Sequence, residues 1–279
     1  YEQYLTCHIN LNNKEEALKD IEFLVDYYPE NGDYYQLLEK ITTRDEYLQH
    51  LFDLKPKSRY AQVRILELLD PQDGKYRDYL KEYLLPYIIK GAPSLFITVA
   101  ELSKEQLAIA KEIVDESQSQ ENFPITSVPI IKLFDANYYI SQHDYENALK
   151  SVEEPLHHTP TCIEALALKL KILTLMGRIE ESCQAASAYA EADPNDRNSN
   201  TCYIKALLRN GKLKTAFTTA QPFSIDSNKH PKLLLTQYNN FHLRVAYCTY
   251  RAKNYKDSTK FYQDVLKHFE DFRKSQFSY

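Results

Sequence analysis

Glycine is scarce, at 5 residues in 279, where about 7% is usual. So few glycines exclude turn-rich all-β folds and glycine-built phosphate loops. They favour helices, where glycine costs about 1 kcal/mol relative to alanine. Tryptophan is absent, and the apolar filling is aliphatic plus 23 tyrosines. No run of 18 apolar residues occurs, and the best stretch, Tyr83–Ile89, is broken by Pro86, so no transmembrane helix is expected. No leader precedes Tyr1, and a first residue other than Met points to a piece of a longer protein. The balance of 34 Lys+Arg against 39 Asp+Glu, net −5, does not fit a generic nucleic-acid binder but leaves room for a local basic patch. The five cysteines (Cys7, Cys162, Cys183, Cys202, Cys248) are odd in number and form no CxxC pair. They read as reduced, buried thiols of a cytoplasmic protein rather than a disulfide frame or a metal site.

A period is present. Ala148, Ser182 and Ala216 are spaced 34 and 34, as are Pro160 and Pro194. A small residue every 34 positions, followed by a proline, is the tetratricopeptide pattern. The small residue permits close crossing of two antiparallel helices, and the proline ends the second. The spacing predicts helices over Tyr145–Leu156, Cys162–Met176, Ile179–Glu191, Asn198–Arg209 and Leu213–Ala220, with turns at Gly177 and Asn210–Gly211. Ala17, Ile21, Leu24 and Pro29 fit an earlier repeat. Ser258, Tyr262 and Val265 fit a later one, displaced by eight residues that are expected around Gln221–Pro231. The middle, 41–128, is helical but irregular, with helices at Tyr76–Ile89 and Ala100–Ser117 and an exposed loop at 117–127. The fold expected is all-α: a right-handed tetratricopeptide-type superhelix, one continuous array over 1–279 with roughly eight helix pairs.

Catalytic signatures are missing: there is no GxSxG, HExxH, GxxxxGK[ST] or GxGxxG. His157–His158 are adjacent and diverge on a helix, which suits a helix C-terminus rather than a metal. Glu15–Glu16 and Glu180–Glu181 read as solvated faces. One charge pattern is informative. Between Arg197 and Ile225 lie Arg197, Lys205, Arg209, Lys212 and Lys214, with no acid. The plain reading is a solvated helix surface. The register sharpens it, because Lys171 and Lys205 stand one period apart, at the place of the first helix that faces the concave groove. Side by side at roughly 10 Å they would repel unless an anion lay between them, and Arg209, one turn on, can join them. A concave anion site is therefore expected.

Four segments carry a more specific resemblance: Pro29–Lys40 (PENGDYYQLLEK), Lys90–Phe96 (KGAPSLF), His158–Lys171 (HTPTCIEALALKLK), and Asp196–Arg197 followed by Lys205. In this order the chain resembles the middle of the large auxiliary subunit of the N-terminal acetyltransferase A complex, NatA. The resemblance implies a non-catalytic scaffold without a cofactor of its own. It would bind and tune a small catalytic acetyltransferase, which alone holds acetyl-CoA, and dock it at the ribosome so that nascent chains are N-terminally acetylated. It further implies inositol hexakisphosphate in a lysine-lined pocket between the subunits. Lys171 and Lys205 fall on two such lysines, Thr174 and Cys202 stand at two other positions that are often basic in the family, and Arg197 and Arg209 can compensate. For rRNA contacts it offers Lys253, Lys256, Lys260 and Lys267.

Two other readings remain at this point. A chaperone-type adaptor would grip a peptide carboxylate with Asn137 and Lys171, which share the same repeat place. An enzyme in its own right has no supporting residue set.

Overall fold

The computed structural model describes residues 1–54, 56, 58–92, 102–119, 123–224 and 231–276. All regular structure among them is helical. The chain forms two compact units, Tyr1–Lys90 with Glu101–Phe123, and Gly91–Ala100 with Pro124–Tyr279.

The first unit contains α1 (Glu2–Asn10), α2 (Lys14–Tyr27), α3 (Gly32–Ile41), α4 (Arg44–Leu54), α5 (Arg59–Leu68), α6 (Gly74–Lys90) and α7 (Lys104–Gln118), each packed on the next. Ala17 and Ile21 of α2 are fully buried. The irregular middle has a local cause. Helices α3, α4 and α5 span only 10, 11 and 10 residues, because Thr42–Thr43 and Pro56 interrupt them early. Tyr35, Tyr47 and Tyr76 are fully buried and fill space that short aliphatic side chains would leave open. A capping box at Ser103 and Gln106 opens α7 at Lys104. The expected start of that helix, at Ala100, lies outside the described residues. Within 117–127, α7 runs on to Gln118 and Ile125–Ser127 makes one 3-10 turn.

The second unit continues with α8 (Val128–Ser141), α9 (Tyr145–His158), α10 (Ile163–Leu175), α11 (Ile179–Ala192), α12 (Arg197–Arg209), α13 (Leu213–Ser224), α14 (Pro231–Arg251) and α15 (Tyr255–Gln276). Each pair is antiparallel, and the small residues sit at the crossings: Ala148 and Ala216 are wholly buried and Ser182 is 3% exposed. Ser258 shows why size matters, for its hydroxyl donates to the Ala246 carbonyl of the facing helix at 2.8 Å. Tyr262 stays at the surface, and Phe261 packs on the core in its place.

The four turns within the pairs are built alike. A residue with positive φ closes each first helix: His143, Gly177, Gly211 and Lys253. The next N–H bonds back over the turn, as in Arg178 to the Leu173 carbonyl and Asn254 to that of Thr249. These positions are spaced 34, 34 and 42. Helix α14 nevertheless begins at Pro231, one strict period after Arg197. The eight extra residues therefore do not sit around Gln221–Pro231, as expected, but lengthen α14 to 21 residues against 13 for α12. From Lys232 to Arg251 there is neither Gly nor Pro to stop the helix.

Candidate functional site

Helix α12 is opened by Asp196, whose carboxylate accepts the N–H groups of Asn198 (3.0 Å) and Ser199 (2.8 Å). These backbone hydrogen bonds hold its pKa below the ordinary value. Ile204, Leu207 and Leu208 bury the inner face of the helix, which turns Lys205 and Arg209, one turn apart, toward α14. There the side chains of the two helices enclose a cleft of about 280 Å³, lined by Lys205 and Arg209 from α12 and by Asn240, Arg244, Tyr247 and Cys248 from α14. A neighbouring cavity of about 620 Å³ shares Arg209, Tyr247 and Cys248 and adds Arg251 and Asn254. The Cys248 thiol records the field. Burial pushes its pKa up, while the positive charges of Arg209 and Arg244 oppose the rise.

Neither α12 nor α14 contains an Asp or Glu. Three nearby cations have partners: Lys169 pairs with Glu153, Arg178 with Glu181 and Lys212 with Glu180. Among the described residues Lys205, Arg209 and Arg244 have no such ion pair.

The four residues singled out in the sequence are only partly brought together. Lys205 and Arg209 share the cleft. Lys171 is exposed on α10, and Arg197 is exposed on the first turn of α12, some 12 Å from Lys205 by helical rise; neither lines the cleft. Helix α12 packs beside α14, and α10 makes no comparable contact with α12. Arg244 and Tyr247 escaped the sequence reading because the period, extended strictly, ends this helix eight residues too soon.

The other candidates stand as follows. Asn137 donates one of its two amide N–H groups to the Leu133 carbonyl of its own helix at 3.2 Å. His158 Nδ1 lies 2.9 Å from the Thr159 hydroxyl. Among the described residues no group of three His, Cys, Asp or Glu side chains could hold a metal ion, and no helix is long and apolar enough to cross a membrane. Cys7 is exposed, contrary to the expectation of burial, because it lies on the outer face of the short α1; Cys183 is buried and the other three are intermediate. Lys253, Lys256, Lys260 and Lys267 are all exposed.

Residues 1–279 match the family described as N-terminal acetyltransferase A, auxiliary subunit. The chain belongs to that family. The NatA auxiliary subunit N-alpha-acetyltransferase 16 of Mus musculus is 27% identical over 97% of this chain and 34% of its own length. The NatA auxiliary subunit NAA15 of Arabidopsis thaliana is 24% identical over the whole chain and 34% of its own length. The chain thus spans about a third of the curated relatives it matches. A solved structure of Naa15/Naa10 bound to HypK-THB shares the fold, with a TM-score of 0.85 and 21% identity over 99% of this chain and 44% of that one. The tetratricopeptide-like helical architecture of a NatA auxiliary subunit is therefore what the 34-residue period encodes here.

Proposed function

We propose that this chain acts as part of a NatA auxiliary subunit. It holds a small catalytic N-terminal acetyltransferase in one active conformation and supplies none of the acetyl-transfer residues itself. The observation that carries this reading is the family match over all 279 residues. The occurrence of the similar Naa15 together with Naa10 supports a catalytic acetyltransferase as the partner. Stacked helix pairs suit the task, because they offer an extended rigid surface on which a second protein can be held. The same reading places the protein in the cytoplasm, docks the complex at the ribosome through exposed lysines such as Lys256, Lys260 and Lys267, and includes inositol hexakisphosphate bound near Lys171, Lys205, Arg209 and Arg197. Acetyl-CoA belongs to the partner.

The test is co-expression with a catalytic acetyltransferase subunit of this type, followed by size-exclusion chromatography and acetylation assays on peptides with small N-terminal residues. Co-elution and a change of peptide preference of about 5–150-fold, the range of a 1–3 kcal/mol conformational bias, are expected. Acetyl transfer by the isolated chain, or failure of the full-length protein to bind any acetyltransferase, defeats the reading.

A further inference from the structure

Helix α15 has two apolar faces. One packs on α14 through Ser258, Phe261 and Val265. The other is open among the described residues: Tyr255, Tyr262, Leu266 and Phe269 are 58%, 38%, 63% and 56% exposed. With the exposed Thr259 they recur at intervals of 4, 3, 4 and 3 residues. That spacing sets them in one line along the helix, about 21 Å long.

The earlier pairs show what such a line is for. Counted from the small residue of each second helix (Ala148, Ser182, Ala216 and Ser258), Tyr262 takes the place of Val152, Ala186 and Ala220. Those three are 0%, 0% and 3% exposed. Thr259 takes the place of Leu149 and Cys183, both buried, and of Phe217, which packs on the core. Each of these residues sits on a helix held between two others: α9, α11 and α13 pack on the first helix of their own pair and on that of the next, α10, α12 and α14.

We propose that the open line on α15 is the seat of the next helix of the longer protein, and that this helix runs beside α15 in coiled-coil fashion instead of opening another ordinary repeat. Position argues for the seat, since the same places are buried by the following pair three times over. Residue size argues against an ordinary repeat. Val152, Ala186 and Ala220 admit a close crossing, whereas Tyr262 and Leu266 hold a neighbour toward the wide end of the 8–10 Å range. Alternating intervals of 3 and 4 residues suit a shallow crossing near +20°. Length agrees, for α15 has 22 residues against 14, 14 and 12 in α9, α11 and α13. A partner of about 15 residues or more would cover the line. The residues directly beside it, Lys256, Gln263 and Glu270, carry no net charge. Contact is therefore apolar, and a helix held nearby by its own chain gains most from such a face. The matched stretch is 34% of the length of two curated relatives, so members of this family have further chain to supply it.

Hydrogen exchange of the α15 amides tests this, comparing the full-length protein with the 279-residue chain and using circular dichroism to check that each is folded. Amides from Thr259 to Phe269 should exchange at least about tenfold more slowly in the full-length protein, because covering the line adds a barrier to local opening. The double change Tyr262→Ser with Leu266→Ser should return them to the faster rate. In the 279-residue chain the same double change should shift the melting temperature by less than about 1 °C, as for other exposed sites. Equal exchange in the two wild-type proteins overturns the proposal, as does a double variant that stays protected in the full-length protein or melts early in the shorter chain. Protection that appears only at high protein concentration assigns the face to a second copy, and protection that needs an added protein assigns it to a separate partner. Either result also overturns the proposal.

Discussion

Glu30 caps the helix that begins at Arg59. Its two carboxylate oxygens accept the backbone N–H groups of Arg59 at 2.7 Å and Tyr60 at 3.0 Å. The neighbouring residues serve the same corner. The Pro29 carbonyl accepts the hydroxyls of Tyr35 (2.8 Å) and Ser58 (2.7 Å). Asn31 caps α3 through the Asp33 N–H. Gly32 lies against the Tyr60 ring, where an added Cβ would stand 2.8 Å from a ring carbon. The PENGDYY segment that first suggested the family is thus a joint between α2, α3 and α5. Its residue types follow from hydrogen bonds and close approach.

Removing the Glu30 cap should therefore destabilise the first unit. Glu30→Ala is expected to cost about 1 kcal/mol, as for other lost N-caps. Glu30→Gln should cost less, since its amide oxygen still accepts one N–H. Urea denaturation of the two variants beside the wild type decides the point, and equal midpoints for all three would refute the capping role.

Ala216 has no exposed surface where α13 crosses its neighbours. Ala216→Leu inserts three carbons into a packed crossing and should cost about 1–3 kcal/mol. A neutral result in thermal melts would mean that the register is wrong.

Lys253 adopts a left-handed conformation, φ +60°, at the turn where the two preceding pairs use Gly177 and Gly211. A side chain there is strained by about 1 kcal/mol. Lys253→Gly should relieve the strain and raise the unfolding free energy by roughly 0.5 kcal/mol, the rest being offset by the greater freedom of glycine in the unfolded chain. Gly211→Ala should do the reverse, and both changes are measurable by chemical denaturation.

His242 is buried between α14 and α15, beside Phe241 and Phe261. Burial lowers its pKa below the ordinary value of 6.5, against a smaller upward pull from Asp264. The unfolded chain therefore binds the proton more readily than the folded one. Stability from this residue is fully present above pH 6.5 and is lost as pH falls below that value toward the folded pKa. His242→Phe should flatten the dependence of the melting temperature between pH 7 and pH 5. An unchanged slope would show that other groups set it.

Much of the second unit is legible in the sequence, because local rules and tertiary packing agree there. Ala148, Ser182 and Ala216 mark the crossings, and Gly177 and Gly211 mark the turns. His143 and Lys253 close equivalent turns without the glycine signal, so the turn at Lys253 could not mark where the period shifts. The site was half legible. Lys205 and Arg209 are one turn apart on one helix, which periodicity reveals. Arg244 is 35 residues from Arg209, on the far side of a repeat of unusual length.

The sequence by itself determined the class of the fold, through the scarcity of glycine and the spacing of small residues, since helical period and close crossing are local demands on residue size. It also determined the absence of acids from α12 and α14. Tertiary structure alone decided where the eight additional residues went. A longer loop and a longer helix both satisfy the spacing from Ala216 to Ser258, and the choice rests on how α14 packs against α12 and α15. That choice carried Arg244 to the cleft, because distance between charges on different helices is set by packing and cannot be counted along the chain.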